Sequence, residues 1–274
     1  MKSWLKHAAI AVLIFLWCYL VFSVFIKLPE QEEVVDMAVS DRPNSGQIEW
    51  KTVNLLREPL PNDIPTESVF IETGTVSIEG VNVFYRKASA PAAVKSTGMS
   101  LLLLHGRSFK SETWEELGTL NIMAALGHLV LAVDLPGYGE TKQTYHGDKS
   151  KFILSIVKSD LLNGTHPVLV SPSMSGEYSV KFIGEHSDLL LGYIPVAPVA
   201  TGSVPQSVLK SVKIPTLILY GDKDQTPMAK QAPENLRIMP NSQEIVFKNA
   251  GHAAYLDQRD NYHKLLHNFM ELLH

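Results

Sequence analysis

From about residue 69 onward, the chain alternates short, continuous apolar runs with longer stretches in which apolar residues recur at helical spacing. Runs such as LLLL at 101–104 and VLVS at 168–171 have no polar face, which is typical of strands covered on both sides. The stretch 148–163 carries its apolar side chains on one stripe, which predicts a helix. Strands that alternate with helices favour an α/β domain in which helices flank a mostly parallel sheet.

Three local patterns refine this prediction. Residues 75–87 alternate with period two around Glu79-Gly80, which indicates a β-hairpin. Residues 111–127 begin with a serine, continue with acidic residues and end with a glycine, which predicts a helix over this range. The segment between Val196 and the strand at Leu217 is too short for a large helical lid, so a small lid or none is expected.

Chemically active side chains follow three of the predicted strands, at the point where each strand ends: Ser173, then Asp222 and Asp224, then His252. Ligands of parallel α/β sheets gather at the carboxyl ends of the strands. A serine, an acid and a histidine in this chain order, each after a different strand, is the order of the α/β-hydrolase catalytic triad. The sequence therefore predicts an α/β-hydrolase fold with a serine nucleophile.

Ser173 is the predicted nucleophile because it stands at the centre of S-P-S-M-S, where a strand turns sharply into a helix. The common motif has glycine at the positions of Ser171 and Ser175, so this sequence is a variant of the nucleophile elbow. Ser171 and Ser175 remain alternative nucleophiles. Ser173 has the alternative role of a helix N-cap.

His252 is the predicted general base, since it follows a strand and a glycine and a serine hydroxyl needs a base to take its proton. Asp224 is favoured as the acid that orients His252. Asp222 is the alternative, because two residues at i and i+2 do not both face one histidine.

Stabilisation of an oxyanion requires backbone donors close to the nucleophile. Met174 directly follows Ser173, and the loop after His105 offers the N–H of Arg107. The backbone N–H groups of Arg107 and Met174 are the predicted oxyanion hole. His105 is expected to have a structural role in holding that loop.

Composition excludes several other classes of protein. The net charge of −4 and the pI of about 6.2 argue against a nucleic-acid partner. The single cysteine, Cys18, allows neither an intramolecular disulfide nor a cysteine-based zinc site. The histidines show no ligand spacing, so neither a metal nor a resident cofactor is expected.

An uncharged apolar run occupies residues 8–26 and is long enough to cross a hydrocarbon core of about 30 Å as a helix. Lys2 and Lys6 precede this run and acidic residues follow it. The positive-inside rule then places residues 1–7 in the cytosol and the rest in the lumen or outside, as in a single-pass type II membrane protein. A cleaved signal peptide is the alternative for the run, and the cytoplasmic face is the alternative location of the domain.

Residues 27–68 are rich in proline and acidic side chains, which predicts a stalk between the anchor and a hydrolase domain at 69–274. Trp50, Leu55 and Leu56 are candidates to pack on that domain.

Asn163-Gly164-Thr165 is an N-x-[ST] acceptor, so Asn163 is a predicted glycosylation site if the domain faces the lumen. Asn-Gly also favours a tight turn with positive φ, which is the purely structural alternative.

Five motifs together resemble the α/β-hydrolase domain-containing 14 family over roughly residues 75–274: LLLLHG, AVDLPGYG, LVSPSMSGEYS, PTLILYGDKD and NAGHAAYLD. The S-P-S-x-S-G elbow is the most specific of these features. The resemblance implies a triad of Ser173, Asp224 and His252, and ester hydrolysis or lysine deacetylation with coenzyme A as acyl acceptor. The apolar N-terminus is similar to that of the family's membrane-anchored member.

The resulting hypothesis is a membrane-anchored serine hydrolase that cleaves or transfers small acyl groups from esters, amides or thioesters. The alternatives are a protein-lysine deacylase that transfers the acyl group to coenzyme A, and an interaction protein with a protein partner and little turnover. The expected partners are a small acyl substrate and a membrane, bound through the N-terminal helix.

Overall fold

Eight strands form one sheet in the part of the chain that the structure, a computed structural model, describes, which is residues 49–274. Their order across the sheet is β1-β2-β4-β3-β5-β6-β7-β8. Strand β2 pairs antiparallel with β1 and β4, and all pairs from β4 to β8 are parallel. The strands are β1 (Ile71–Ile78), β2 (Val81–Ala88), β3 (Ser100–Leu103), β4 (Leu129–Val133), β5 (Pro167–Pro172), β6 (Gly192–Val196), β7 (Thr216–Gly221) and β8 (Ser242–Phe247). The mostly parallel sheet is as predicted.

Helices cover both faces of this sheet. They are α1 (Ser111–Glu116), α2 (Thr119–Ala125), α3 (Lys149–Val157), α4 (Gly176–His186), α5 (Gln206–Leu209), α6 (Pro227–Leu236), α7 (Ala254–Asp257) and α8 (Arg259–Leu273). Since side chains alternate along a strand, Leu101 and Leu103 belong to one apolar cluster and Leu102 to the other. Helices α1, α2, α7 and α8 contribute to the first cluster, and α3 to α6 to the second.

The hairpin prediction is confirmed. Ile78 pairs with Val81, so Glu79 and Gly80 are the whole loop, and both have positive φ, 49° and 80°. Two residues with positive φ form the type I′ turn, which matches the right-handed twist of the paired strands.

The prediction of one helix over 111–127 is wrong, because the chain forms two helices, α1 and α2, that meet at Gly118. Gly118 has φ 84°, a left-handed conformation that ends α1. A Cβ at Gly118 would lie 2.9 Å from Nη2 of Arg259 on α8. Glycine therefore allows both the turn between the helices and the close approach of Arg259.

The connection from β6 to β7 contains a 3-10 turn (Thr201–Ser203) and the four-residue helix α5. These short elements agree with the expected small lid.

The first described residues pack against the domain. Trp50 is 4% exposed and Leu55 is 2% exposed, and both belong to the first apolar cluster. Asn268 Nδ2 donates to the carbonyl oxygen of Leu55 over 2.8 Å, and Gln243 Nε2 donates to that of Val53 over 3.0 Å. The end of the predicted stalk thus contributes to the core, as suggested for Trp50 and Leu55.

The predicted cytosolic segment 1–7, the predicted anchor 8–26 with Cys18, and residues 27–48 of the predicted stalk lie outside the described residues. Within residues 49–274, none of the helices has the length and apolar character needed to span a membrane.

Burial of Leu55 leads to a test of its packing. Truncation of Leu55 to alanine leaves a cavity in the core, and we expect a loss of about 2–5 kcal/mol in the free energy of unfolding. Phe70→Ala is the control, since Phe70 is 80% exposed and a surface change of this kind costs less than about 0.5 kcal/mol. Urea denaturation followed by circular dichroism measures both. Equal stability of the two variants would contradict the packing of residues 49–58 on the domain.

Candidate active site

Ser173 lies in a sharp turn between β5 and α4, in the 3-10 turn Ser173–Ser175. Its φ is 50°, and a left-handed conformation costs a residue with a side chain about 1–3 kcal/mol. The backbone N–H of Val199 donates to the carbonyl oxygen of Ser173 over 2.9 Å, which helps to hold this conformation. A Cβ at Gly176 would lie only 2.4 Å from the carbonyl oxygen of Val199. The turn therefore requires glycine directly after Ser175, and the strained residue is the predicted nucleophile.

Three side chains from three different loops form a linear hydrogen-bonded arrangement. His252 Nε2 lies 2.8 Å from Ser173 Oγ, and His252 Nδ1 lies 2.6 Å from Asp224 Oδ2. A carboxylate only accepts, so Nδ1 carries the proton and donates to Asp224. Nε2 is then free to accept the proton of the Ser173 hydroxyl.

The structure brings Asp224, not Asp222, to His252. The second carboxylate oxygen of Asp224 accepts from the backbone N–H of Thr226 over 2.8 Å. Burial alone would raise the pKa of Asp224, but the hydrogen bonds from His252 and Thr226 outweigh it, so the pKa lies below its usual value. Asp224 is therefore ionised at neutral pH. Asp222 instead lies 3.9 Å from Lys248 Nζ.

The alternative nucleophiles Ser171 and Ser175 face away from His252 into the domain. Both are completely buried, and their hydroxyl oxygens lie 2.9 Å from each other. Ser173 Oγ, in contrast, reaches the histidine.

The loop after β3 approaches the nucleophile. A Cβ placed on Gly106 would lie 3.6 Å from that of Ser173, and the N–H of Phe109 donates to the carbonyl oxygen of Gly106 over 3.1 Å. Within residues 49–274, the backbone N–H groups of Arg107 and Met174 have no acceptor. The assignment of these two N–H groups to an oxyanion hole stays a prediction.

His105 joins this loop to the end of β4. Its Nε2 accepts from the N–H of Leu135 over 2.9 Å, so its Nδ1 carries the proton and donates to the carbonyl oxygen of Gly106 over 2.9 Å. Burial lowers the pKa of His105 despite that backbone hydrogen bond. His105 is therefore a neutral side chain that joins the loop after β3 to the end of β4, which agrees with the structural role expected from the sequence.

A cavity of about 70 Å³ lies beside Ser173 Oγ. Its lining includes Gly106, Phe109, His252 and Tyr255. The rings of Phe109 and Tyr255 meet edge to face, with centroids 6.2 Å apart, so aromatic side chains form part of the wall, and Arg107 forms another part.

Known proteins similar in sequence to this chain show its family. No family model matches the chain. ABHD14B from Homo sapiens, whose name describes it as a candidate protein-lysine deacylase, is 39% identical over 210 residues, which are 74% of this chain and 97% of that protein. Protein ABHD14A from Danio rerio is 39% identical over 199 residues, 70% of this chain and 72% of that protein. The chain belongs to the ABHD14 family.

Solved structures show the same fold. A CIB-like hydrolase from Thermoplasma acidophilum superposes with a TM-score of 0.64 at 24% identity, covering 74% of this chain and 98% of its own. Carboxylesterase CesB from Bacillus subtilis gives a TM-score of 0.60 at 16% identity, covering 73% and 92%. The predicted α/β-hydrolase fold is confirmed. This ABHD14 chain is a serine hydrolase of the α/β-hydrolase superfamily, and its prediction as an enzyme is confirmed.

Asp134, which was not predicted from the sequence, holds two loops of this ABHD14 chain together. Asp134 is buried, and its two carboxylate oxygens accept from the N–H of Ser111 over 2.6 Å and of Glu140 over 2.8 Å. Asp134 lies in AVDLPGYG, one of the motifs that carry the family resemblance, and this was the available signal.

Ser179 and Tyr193 were also missed. Ser171, Ser175 and Ser179 are spaced four residues apart, but Ser171 lies on β5 and Ser175 in the turn, so the rule that residues four apart meet on a helix did not apply to all three. Tyr193 had no local sequence signal either, since it lies on β6 and contacts Ser179 on α4 only in the folded domain.

Asn163, the predicted glycosylation site, lies before β5, at the opposite end of that strand from Ser173. Asn163 is exposed, and Asn163 and Gly164 have φ of 52° and 72°. The tight turn is confirmed, and glycosylation stays a prediction.

Across residues 49–274, no three His, Cys, Asp or Glu side chains are grouped so that they could hold a metal ion.

The short contact between His252 and Asp224 leads to a spectroscopic test. A proton in a charge-assisted hydrogen bond of 2.6 Å is strongly deshielded. We therefore expect a proton NMR resonance far downfield of the backbone amides, and its loss in Asp224→Asn. Asp222→Asn is the matched control and should keep the resonance. Survival of the resonance in Asp224→Asn would show that another group accepts from His252.

Proposed function

We propose that this chain is a membrane-anchored serine hydrolase that cleaves or transfers small acyl groups through an acyl-enzyme. Ser173 is the nucleophile, His252 the general base and acid, and Asp224 the group that orients and stabilises His252. The observation that carries the proposal is the continuous series of contacts from Ser173 Oγ through His252 to Asp224, 2.8 and 2.6 Å. In this series, His252 Nδ1 carries the proton that Asp224 accepts, and Nε2 is unprotonated and can take the proton of Ser173, as this chemistry requires.

In the first half-reaction, Ser173 Oγ attacks the carbonyl carbon of the acyl group while its proton passes to His252 Nε2. The carbonyl oxygen becomes an oxyanion and accepts from the N–H groups of Arg107 and Met174. The bond to the leaving oxygen, nitrogen or sulfur then breaks, and His252 returns the proton to the leaving group. The acyl group remains as an ester of Ser173.

In the second half-reaction, water loses a proton to His252 Nε2 and attacks the ester carbonyl. Collapse of the second tetrahedral intermediate returns that proton to Ser173 Oγ and releases the carboxylic acid. The thiol of coenzyme A is the alternative acceptor, and the name of ABHD14B supports a protein-lysine amide as the alternative acyl donor. Chromatography separates free acid from acyl-coenzyme A and so distinguishes the acceptors.

The dimensions of the site favour a small acyl group. The cavity of about 70 Å³ is several times the ~10–15 Å³ that one water molecule needs. It is far below the ~300–1,000 Å³ of pockets that enclose larger ligands. With only α5 and a 3-10 turn between β6 and β7 in the described chain, no large lid is present to extend the pocket. Acetyl and similar short groups fit this description best.

For the location, we propose that residues 8–26 anchor the chain and that the hydrolase domain faces the lumen or the outside, in a type II arrangement. The support is the lysines before the apolar run and the acidic residues after it. Asn163 is then available for glycosylation, at the edge of the sheet away from Ser173. A glycan at this edge leaves the cavity open.

The nucleophile assignment has a direct kinetic test. We expect Ser173→Ala to lower kcat for an aryl acetate by about 10³-fold or more, because the hydroxyl that forms the acyl-enzyme is gone. It should also abolish labelling by a fluorophosphonate. Ser211→Ala is the control, since Ser211 is an exposed serine before β7. If the unmodified chain neither hydrolyses the acetate nor takes the label, the alternative of an interaction protein with little turnover is favoured.

The proposed location has a test of its own. In a eukaryotic cell, we expect the full chain to shift on a gel after endoglycosidase treatment, and Asn163→Gln to show no shift, because Asn163 is exposed. Protease treatment of intact microsomes supplies the control for orientation. An unshifted band together with protease-sensitive domain would show that the domain faces the cytosol.

A further inference from the structure

Four hydroxyl groups lie behind the nucleophile turn, on separate elements: Ser171 on β5, Ser175 in the turn, Ser179 on α4 and Tyr193 on β6. All four residues are completely buried. Ser171 Oγ is 2.9 Å from Ser175 Oγ and 2.6 Å from Ser179 Oγ, and Ser179 Oγ is 2.8 Å from the Tyr193 hydroxyl. We call these four groups the hydroxyl chain.

The protons of the hydroxyl chain can be assigned from its end. Ser175 Oγ lies 2.8 Å from the carbonyl oxygen of Pro172, and a carbonyl only accepts. Ser175 therefore donates its one proton to Pro172 and accepts from Ser171.

The same reasoning continues inward. Ser171 donates its one proton to Ser175, so it must accept from Ser179. Ser179 in turn accepts from Tyr193. Burial raises the pKa of Tyr193 above its usual value, although its hydrogen-bonded serine partners lower it. Tyr193 thus keeps its proton, and all four hydroxyls donate in one direction, toward Pro172.

The acceptor at the end of the hydroxyl chain is the residue directly before the nucleophile. Since the peptide bond is planar, a fixed carbonyl oxygen of Pro172 also fixes the backbone nitrogen of Ser173. The common form of this elbow has glycine at positions 171 and 175, with no side chain to make such a contact. Here two serines make it, and they link the turn to α4 and β6.

We propose that the hydroxyl chain is a positioning device for the nucleophile. It holds the peptide between Pro172 and Ser173 in one orientation, and so keeps Ser173 Oγ within 2.8 Å of His252 Nε2. Series of like-directed hydrogen bonds strengthen one another, so the four groups act as a unit. The inference rests on the proposed function of Ser173 as nucleophile, and none of the four groups touches substrate.

Tyr193→Phe tests the hydroxyl chain with the smallest change, since it removes one oxygen and keeps the ring. We expect kcat for an aryl acetate to fall about tenfold and KM to change less than about twofold, because a small displacement of the nucleophile slows attack without altering the cavity. The rate of fluorophosphonate labelling should fall in parallel. The pH profile of kcat/KM should keep its shape, since His252 and Asp224 are unchanged.

Tyr262→Phe is the matched control. Tyr262 is also completely buried, but its hydroxyl has no hydrogen-bond partner among residues 49–274. Its removal should leave kcat within about twofold of the unmodified chain, whatever it does to thermal stability.

A second experiment measures kcat for the Ser175→Ala variant and for the double variant that combines Ser175→Ala with Tyr193→Phe. If the hydroxyl chain acts as a unit, the fold-loss of kcat in the double variant is smaller than the product of the fold-losses in the two single variants. Full additivity, or equal kcat for Tyr193→Phe and Tyr262→Phe, would overturn the inference. Ser179→Ala repeats the test from the middle of the chain if Tyr193→Phe does not fold. An unmodified chain that is not labelled at Ser173 would overturn the proposed function, and the inference with it.

Discussion

The left-handed backbone at Ser173 is the constraint to which the rest of the site is fitted. A serine with φ 50° is held at some cost in free energy, and several contacts hold it. Gly176 lets the carbonyl oxygen of Val199 approach, and the N–H of Val199 bonds to Ser173. This turn lifts Ser173 Oγ out of the core toward His252, while Ser171 and Ser175 on either side stay buried.

Parallel pairing explains why the other groups are within reach. Strands β3, β5, β7 and β8 all run in one direction, so the loops that follow them meet at one edge of the sheet. The apolar clusters on both faces hold the strands in place. The ends of the loops that follow these strands are held in place with them. The contacts of His252 with Ser173 and Asp224 then require only short-range adjustment.

Sequence patterns predicted what depends on local order along the chain. The alternation of strands and helices and the hairpin at Glu79-Gly80 are visible within short windows, and the serine, the acid and the histidine each directly follow a predicted strand. They led to the sheet and to Ser173, His252 and Asp224, which the structure brings together.

Features that depend on contacts between distant segments were not predictable in this way. The break between α1 and α2 at Gly118, where Arg259 of the distant α8 approaches, was hidden in a stretch that reads as one helix. The carboxylate of Asp134 meets two loops that only the folded sheet brings close. The contacts among Ser171, Ser175 and Ser179 depend on how β5, the turn and α4 pack together, and the direction of their protons follows from Tyr193 and Pro172, at the two ends.

Charge is distributed sparingly around the reacting atoms, and this matters for the chemistry. Asp224 is the ionised group in contact with His252, and its lowered pKa keeps it so. His105, whose pKa is lowered by burial, holds the oxyanion loop as a neutral group. The cavity wall contains the aromatic rings of Phe109 and Tyr255 together with one cationic residue, Arg107. In the proposed reaction, Asp224 balances the positive charge that forms on His252 during attack, and the N–H groups of Arg107 and Met174 stabilise the negative charge that forms on the substrate oxygen. The proposed reaction therefore assigns the two developing charges to different partners, one to a carboxylate and one to backbone N–H groups, as acyl transfer through a serine requires.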